Sequence, residues 1–463
     1  QTRRGDIKRV NGKGESMTFE TKGKENNGAT YGRRSDWQDL YSIAKKYYEA
    51  LLADPGNAQF HLTDPRGASD KSGRTFNNPY QYFFEQMHMD DAIYADESIY
   101  EYPMQQGGGN DGRPYSFGRP SSGGSKAAYP CKSYGQGRIN PAYFYGVFDP
   151  NDMRRDVSIT MTGSNGKGVE KLIPFVPNSK AEGGGLTLNK WDENRQANPW
   201  VAAQRKSGIN GPYMRMSEVY LGYAEVCAAL GDVVTGKQYL KTVRERSFPQ
   251  GLANTDAFIA SFGNDLVRAI IEERGFEYAG EGDRRWTLIR SGYLPEDIKR
   301  IKDMTKAMMD GLATKGYYEF ENGNIISAYI WTKLVDAKTI YGHRLTAQCP
   351  TDKVNDPVLY PGWRGQKDNW EEMGLNYGSS TPATNLAIKG LFEIVSEEEA
   401  ASLESQGYTK VNWGIDLVDN RDEYDKYLFW DYDYVSAPIY LWPFTPNVMA
   451  AGGFTNGYGF KQE

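Results

Sequence analysis

The stretch that decides the fold lies between residues 211 and 292 and contains three helical segments. It reads GPYMRMSEVYLGYAEVCAALGD (211–232), QYLKTVRERSF (238–248) and IIEERGFEYAGEGDRRWTLIRSG (270–292). Apolar residues recur at spacings of three and four, which predicts amphipathic helices over about 213–230, 236–246 and 262–281. Gly231-Asp232 is a stop signal for the first helix, so the first two helices are joined by a tight turn.

Outside this stretch, helical patterns alternate with long loops. We expect helices over 36–53 (capped by Ser35 or Asp36), behind Pro79, over 296–312 and over 383–395, with short strands near Ile99-Tyr100 and Val157–Thr162. QQGGGNDGRPYSFGRPSSGGSK (105–126) is typical of a loop. Helix, turn and helix form the unit of a tetratricopeptide (TPR) repeat, although no clean 34-residue period occurs. The predicted fold is mainly α, with TPR-like helical pairs, long loops and a few short strands.

Composition and charge exclude several classes of protein. The 463 residues carry 54 Lys and Arg against 60 Asp and Glu, a net charge of -6 without a basic block, which excludes nucleic acid as a partner. Cys131, Cys227 and Cys349 are an odd, sparse set that makes neither a disulfide framework nor a thiolate metal site. We therefore expect no cofactor, no metal ion and a buried Cys227. No apolar run approaches the ~18 residues of a membrane-spanning helix.

The order of the three segments resembles the SusD/RagB family. The sequence motif of that family is roughly Arg-x-x-Glu-x-x-Leu-x-x-Ala-Glu, then Val-Arg-x-Arg, then Glu-Arg-x-x-Glu-x-x-x-Glu-Gly-x-Arg. The charged residues of this chain that match the motif are Arg215, Glu218, Glu225, Arg244, Arg246, Glu273, Arg274, Glu277, Glu281 and Arg284. ESIYEY, FDPNDMRRDVSIT and the tail PIYLWPF…NGYGF are also similar to family segments, whereas Thr287 stands where the family usually has Asp.

The resemblance implies a nutrient-binding lipoprotein on the outer face of the outer membrane, without catalytic activity. Its partner would be a SusC-like TonB-dependent β-barrel transporter, and its membrane attachment an N-terminal lipid anchor that this chain does not contain. We expect one SusD-like unit over 1–463 that lacks the usual N-terminal part. Its predicted regions are a TPR-like helix (36–62), a loop-rich ligand side (64–210), core helices (211–294), a family-specific insert (295–435) and a packed tail (436–463).

The predicted ligand is an oligosaccharide, with an oligopeptide as the alternative. Aromatic rings in polar, Gly-rich loops can stack on the apolar face of a sugar, and loops favour their exposure. The candidate ligand-binding residues are Tyr115, Tyr143, Tyr145, Trp191, Trp200, Trp363 and Trp370. A purely structural TPR scaffold and a glycan-cleaving surface enzyme are the alternatives from other classes; the scaffold would lack an exposed aromatic cluster. Tyr220, Tyr223 and Trp286 lie in helical patterns and are predicted to be core.

Three charged or Gly-rich stretches suggest other chemistry. Glu273 and Glu277 could form an acid/base pair, but their i, i+4 spacing, interleaved with Arg, favours an ion-pair network between packed helices. The Asp-rich run 416–434 could bind calcium but lacks the EF-hand spacing, which favours a solvated loop. GSNGKG (163–168) lacks the P-loop pattern and favours a hairpin turn.

Overall fold

The structure is a computed structural model of the chain. It describes residues 9–10, 16–17, 36, 38–63, 79–88, 95–109, 112–121, 133–164, 170–177, 183–193, 200, 203–336, 384–428 and 444–453. The helices within these residues are α1 Asp39–Ala53, α2 Pro79–Gln86, α3 Gly112–Phe117, α4 Arg154–Ser158, α5 Met216–Ala229, α6 Val233–Arg246, α7 Thr255–Ser261, α8 Leu266–Glu277, α9 Asp283–Ser291, α10 Leu294–Lys315, α11 Glu397–Ser405, α12 Gly414–Asp419, α13 Arg421–Leu428 and α14 Pro446–Gly452. Tyr143–Val147 forms a π-helical turn.

The strands are short and pair only antiparallel in the described part of the chain. They are β1 Arg9–Val10, β2 Ser16–Met17, β3 Ser98–Tyr102, β4 Ile159–Thr160, β5 Thr162–Ser164, β6 Glu170–Leu172, β7 Thr187–Leu188, β8 Gly211–Arg215, β9 Tyr317–Glu319, β10 Ile325–Ser327, β11 Tyr329–Asp336, β12 Thr384–Lys389 and β13 Thr409–Asn412. They form five two-stranded sheets, β1-β2, β3-β8, β4-β7, β5-β6 and β9-β10, and one three-stranded sheet in the order β12-β11-β13. The predicted fold class, mainly α with a few short strands, is confirmed.

Helices α1, α5 and α6 pack side by side as a TPR-like group. The α5–α6 turn is closed by Asp232, whose side chain accepts a 3.2 Å hydrogen bond from the Thr235 N–H at the start of α6. Gly236 lets α6 approach α5 closely, since a Cβ there would lie 2.9 Å from the Ala224 carbonyl oxygen. Tyr48 of α1 reaches α5 at Gly222 in the same way.

Two apolar cores flank the buried helix α8. One is the helical core between α5, α6, α7 and α8, and includes Leu221, Leu240 and Ile270. The other joins α10 to the π-helical turn, the three-stranded sheet and Trp413. Every residue of α8 is buried. Its sequence therefore consists mainly of apolar residues and of charged residues that have partners, because unpaired charges are rarely buried.

Strands β3 and β8 bring the segment before α5 against the segment at 98–102. Tyr102 lies opposite Gly211 and Ser98 opposite Arg215, with register shifts near Tyr100. Residues 211–215 therefore belong to a strand, and the first predicted helix begins at Met216 rather than at 213. The helix predicted over 36–53 begins at Asp39, where Gln38 takes the cap position and the Asp36 carbonyl accepts the Asp39 N–H at 3.0 Å.

The prediction of a helix over 383–395 is wrong, because residues 384–389 form strand β12. Leu386, Ala387 and Ile388 are consecutive and all buried, so both faces of the strand are covered and no alternation marks it. The strand ends at Lys389, and the next residue, Gly390, has a φ of +77°. A short apolar run of this kind does not distinguish a buried strand from a buried helix.

Three loop or strand predictions are also corrected. Residues 154–158 are helical because the Asp152 carboxylate accepts the Arg154 N–H (3.0 Å) and starts a turn. The long loop at 105–126 contains α3, which is anchored by buried Pro114 and Tyr115. The Asp-rich run begins as helices α12 and α13, since Leu417 and Val418 pack into the core; residues 429–434 lie outside the described residues.

Two smaller predictions are confirmed and one is wrong. Strands β5 and β6 pair antiparallel, as expected for a hairpin; Gly163 and Ser164 of GSNGKG lie in β5, and 165–168 lie outside the described residues. Cys227 is free and fully buried. Trp286 was expected in the core but is 57% exposed on α9. In the part of the chain that the structure describes, each helix is too short or too polar to cross a lipid bilayer.

Candidate functional site

The charged residues of the sequence motif meet in a buried network around Glu277 of α8. The Glu277 carboxylate accepts from Arg215 (2.5 Å), Arg154 (3.1 Å) and Arg246. Glu97, just before β3, accepts from Arg215 (2.9 Å) and Arg246 (2.6 Å). One carboxylate thus joins α8 to β8, α4 and α6, and a second ties the start of β3 to the same guanidinium groups.

The network continues on both sides of Glu277. Its further pairs are Arg154–Glu273 (2.7 Å), Arg244–Glu273 (2.9 Å), Arg215–Glu281 (2.9 Å), Lys190–Glu281 (2.6 Å), Arg274–Glu218 (2.7 Å), Arg274–Asp283 (2.6 Å), Arg284–Glu272 (2.7 Å), Arg284–Asp297 (2.8 Å) and Arg290–Glu225 (2.7 Å). Most of these groups are shielded from water, so each carboxylate depends on its cation for stabilisation.

The electrostatics of this network do not suit acid/base chemistry. Burial alone would raise the pKa of Glu277, but three guanidinium groups outweigh it and lower the pKa well below its usual value of 4.5. The pKa of Glu272 is lowered in the same way by Arg284, Arg300 and Arg268. A general acid for glycoside cleavage needs a raised pKa and access to substrate, and these buried carboxylates have neither.

Three of the loop aromatic residues that the sequence indicates as ligand contacts are buried. Tyr115, Tyr145 and Trp191 are at most 2% exposed, so their expected exposure is wrong. The Tyr145 hydroxyl accepts from the Trp413 indole nitrogen at 2.8 Å, and Trp191 packs with Leu188 and Ile209. These rings are anchors on which the loops fold.

The remaining candidates are more varied. Tyr143 is half-buried, and its hydroxyl donates to the Gly275 carbonyl at 2.8 Å. Trp200 is half-buried against Gly107, where a Cβ would lie 2.8 Å from the indole ring. Trp363 and Trp370 lie outside the described residues. The candidates that the structure describes do not lie together on one exposed surface, and ligand binding by any of the seven stays a prediction.

Three other tyrosines do form an exposed aromatic cluster, here called the tyrosine triad: Tyr100, Tyr102 and Tyr213. They are 53%, 46% and 64% exposed. Tyr100 and Tyr102 share one face of β3, and Tyr213 projects from β8 between them. The Tyr213 ring centroid lies 5.6 Å from that of Tyr100 and 5.4 Å from that of Tyr102, at interplanar angles of 89° and 87°. The rings therefore form a stepped apolar surface edged by hydroxyl groups.

The strands under the tyrosine triad are held rigidly from below. Glu101 points to the opposite face from its neighbours and is 1% exposed; its carboxylate accepts from the Ala95 N–H (2.9 Å), Asn210 Nδ2 (2.9 Å) and Ser98. The ion pair between Glu97 and Arg215 ties the two strands together at their other end. A preorganised aromatic surface loses little conformational entropy on binding.

Comparison with known proteins decides the family. The profile of the SusD family matches residues 58–443. The chain belongs to the SusD family. A curated relative, SusD-like protein P25 of Formosa agariphila, is 28% identical over 160 residues, which are 34% of this chain and 26% of P25.

Two solved structures are similar at lower identity. A SusD homolog from Bacteroides thetaiotaomicron is 19% identical with a TM-score of 0.41, covering 58% of this chain and 52% of the homolog. Surface glycan-binding protein A from Bacteroides thetaiotaomicron, in complex with laminarihexaose, is 19% identical with a TM-score of 0.37, covering 55% of this chain and 51% of that protein. With these scores below 0.5, the family assignment rests on the profile. The matches span about a quarter of P25 and about half of the two solved structures.

SusD-family proteins are binding proteins rather than enzymes. Within this SusD-family chain the tyrosine triad is the feature that the sequence analysis missed. The alternation Ile99, Tyr100, Glu101, Tyr102 was a usable signal, because a period of two places both tyrosines on one face. Tyr213 carried no such signal, since it stood at the start of a predicted helix.

Proposed function

We propose that this SusD-family protein captures oligosaccharides at the cell surface, with the tyrosine triad as the principal contact. The observation that carries the proposal is the contiguity of three exposed rings. Single exposed apolar side chains are ordinary, but a rigid exposed cluster is typical of a binding surface. Pyranose rings have apolar faces that stack on aromatic rings, while the surrounding hydroxyl groups exchange hydrogen bonds with the phenols.

The proposal extends to delivery of the captured oligosaccharide to a SusC-like TonB-dependent transporter. Membership of the SusD family supports this partner, and a lipid anchor would hold the protein on the outer face of the outer membrane. Co-purification from detergent-solubilised outer membranes tests the partnership. We expect a β-barrel receptor to be retained with the tagged, full-length protein, and its absence would count against delivery.

Oligopeptide capture is the second candidate, and one observation favours it. In the described residues β3 and β8 pair only with each other, so their outer edges can receive a further strand. A peptide bound in this way would gain main-chain hydrogen bonds and place side chains against the tyrosines. A purely structural scaffold would not require an exposed aromatic cluster such as the tyrosine triad.

Isothermal titration with neutral and acidic oligosaccharides and with mixed oligopeptides tests the choice. We expect heat with oligosaccharides and no cleavage products in the same samples. Tyr102→Ala and Tyr213→Ala should each weaken binding about tenfold, as for a central contact residue. Tyr47→Ala is the matched control, because Tyr47 is 67% exposed on α1 and lies outside the tyrosine triad.

Each outcome of that titration is informative. Heat only with peptides would replace the oligosaccharide by the second candidate. Binding that Tyr47→Ala weakens as much as the variants of the tyrosine triad do would remove the triad from the site. Cleavage products from the wild-type protein would contradict a binding function.

A further inference from the structure

The three-stranded sheet β12-β11-β13 has one face that is turned away from the larger core. Ile330 and Ile388 lie on the inner face and pack into that core. Side chains alternate between the faces of a strand, and residues directly opposite each other share a face. Trp331 lies opposite Lys389 on one side and opposite Lys410 on the other. These three side chains therefore form a row across the opposite face, here called the outer face.

An exposed aromatic ring adjoins this row. Tyr329, two residues before Trp331 on the same face of β11, is 37% exposed, whereas Trp331 is 6% exposed. Nζ of Lys410 lies 4.3 Å from the ring centroid of Tyr329 and 5.7 Å from that of Trp331. Cation–π attraction to both rings thus holds the ammonium group at the outer face.

The charge of Lys410 is not neutralised by a neighbouring carboxylate. Its side chain is exposed, and within the described residues its contacts are with the two aromatic rings. Lys389, at the other end of the row, is attracted by the carboxylates of Glu393 and Glu399. The chain as a whole has a net charge of -6, so a cation without a counter-ion does not reflect a basic composition. Lys410 is therefore the charge of this row that a ligand can neutralise.

The outer face also holds polar groups that a sugar could engage. The Trp331 indole N–H is buried and has no hydrogen-bond acceptor in the described part of the chain. Asn412, which is exposed and lies opposite Tyr329, donates through Nδ2 to Oδ1 of Asp416 at 3.0 Å. Its amide oxygen can accept from a ligand hydroxyl group. An exposed ring, a cation, a donor and an acceptor together form the usual equipment of a saccharide site.

We propose that the outer face is a second ligand site, which binds acidic oligosaccharides through Lys410 and Tyr329. A sugar unit stacked on Tyr329 has its carboxylate or sulfate beside the ammonium group, which lies 4.3 Å from the ring centre. Lysine is a flexible point charge with three donors, so it accepts a planar or a tetrahedral anion equally well. The site lies on a different sheet from the tyrosine triad, and its test is separate from that of oligosaccharide capture there.

The test uses ligands that differ in charge or in the presence of a sugar ring. The probes are a uronic-acid hexamer with its carboxyl-reduced form, a sulfated hexamer with its desulfated form, and hexaglutamate. They are titrated by calorimetry into the wild-type protein and into Tyr213→Ala, in which the tyrosine triad is weakened. We expect both proteins to bind at least one acidic hexamer about fivefold or more tightly than its neutral form and than hexaglutamate.

Variants of the outer face assign this preference to the site. Lys410→Met should lower the affinity for the acidic hexamer about fivefold, as expected for one exposed charge pair, and Lys410→Arg should retain most of it. Tyr329→Ala should weaken binding of the acidic hexamer about tenfold, because the stacking surface is lost. The matched control is Lys46→Met, which removes the same charge from an exposed position on α1. We expect it to change the affinity less than about twofold.

Each contrary outcome separates the two proposals. Equal binding of acidic and neutral hexamers overturns the acidic site and leaves oligosaccharide capture at the tyrosine triad intact. Equal losses in Lys410→Met and Lys46→Met also overturn it, because the attraction would then come from the charge of the whole molecule. Hexaglutamate that binds as tightly as the acidic hexamer would replace the sugar by an acidic peptide. Loss of acidic binding in Tyr213→Ala would place that ligand at the tyrosine triad instead.

Discussion

The hydroxyl of Tyr145 accepts a 2.8 Å hydrogen bond from the Trp413 indole nitrogen inside the larger core. The Tyr145 ring also stacks on Phe320, with centroids 6.1 Å apart and planes 7° apart. Burial raises the pKa of Tyr145, so the phenol stays neutral there. Tyr213 carries the same side chain at 64% exposure and can contact a ligand. At the scale of the residue, environment rather than residue type decides which tyrosines lie in the core and which form the exposed tyrosine triad.

Tyr145→Phe should therefore lower stability and leave binding unchanged. It keeps the ring but removes the acceptor, so the buried Trp413 N–H loses its partner at a cost of about 1–3 kcal/mol. Urea unfolding measures the loss, and calorimetry the oligosaccharide affinity. Tyr47→Phe, on exposed Tyr47, should leave stability unchanged within ~0.5 kcal/mol. Loss of binding in a folded Tyr145→Phe protein would contradict the separation of core and surface tyrosines.

Close approach of elements depends on single glycines. Gly236 lies where α6 crosses α5, and a Cβ there would meet backbone atoms of Ala224 (2.9 Å) and Ala228 (3.2 Å) as well as the Leu266 side chain (3.2 Å). Backbone cannot move aside without shifting a whole helix. The tight α5–α6 pair, and through α5 the position of β8, therefore depends on this residue.

Gly236→Ala should destabilise the protein by about 1–3 kcal/mol, the usual cost of overpacking. The sign of the change in stability is informative, because alanine in the middle of a helix normally stabilises it by roughly 0.5–1 kcal/mol relative to glycine. Urea or thermal unfolding measures the effect. Gly109→Ala is the control, since a Cβ there meets nothing within 4 Å. A Gly236→Ala variant as stable as wild type would mean that the two helices can separate freely.

At the scale of the whole molecule, the buried charges join elements that are distant in sequence. Glu277 bonds to guanidinium groups from β8, α4 and α6, and Glu97 brings in the segment before β3. The surface of the tyrosine triad and the helical core are thus tied to one electrostatic centre. Such a centre is stable only while its carboxylates are ionised.

The free energy of unfolding should fall as the pH drops below about 4.5. Glu277 and Glu272 have pKa values lowered from 4.5 in the folded protein, so they bind fewer protons than in the unfolded chain. Their contribution is complete above pH 4.5 and is lost progressively as the pH falls towards the folded-state pKa values. Urea unfolding between pH 7 and pH 3 measures this decline.

Glu277→Gln tests the source of that acid sensitivity. The variant should lose about 3–5 kcal/mol at neutral pH, because buried guanidinium groups lose their counter-ion, and should then decline less steeply with acid. Glu272→Gln provides a second buried case, whose partners Arg284 and Arg300 are partly exposed, if the first variant does not fold. Glu404→Gln, on the exposed face of α11, should follow the wild-type profile. Identical slopes in wild type and in both core variants would assign acid sensitivity to other groups.

Local spacing in the sequence determined helices α5, α6 and α8, the turn at Asp232 and the β5–β6 hairpin, whereas α7 was not predicted. Each depends on periodicity, capping or turn residues within a few positions, which a single sequence displays directly. The alternation of charged residues in α8 also indicated ion pairs, because buried charges need partners. Which partners they found, from Glu97 to Arg246, depended on packing.

Only the tertiary structure decided the exposure of the aromatic rings and the strand at 384–389. Trp191 became a core anchor, Trp286 an exposed side chain, and Tyr213 part of the tyrosine triad. Burial is a property of which distant elements meet: Tyr213 is exposed beside Tyr102 because β8 pairs with β3 across more than a hundred residues. Residue spacing along one segment holds no information on that pairing, so the helical scaffold followed from sequence while the exposed tyrosine triad followed from long-range packing.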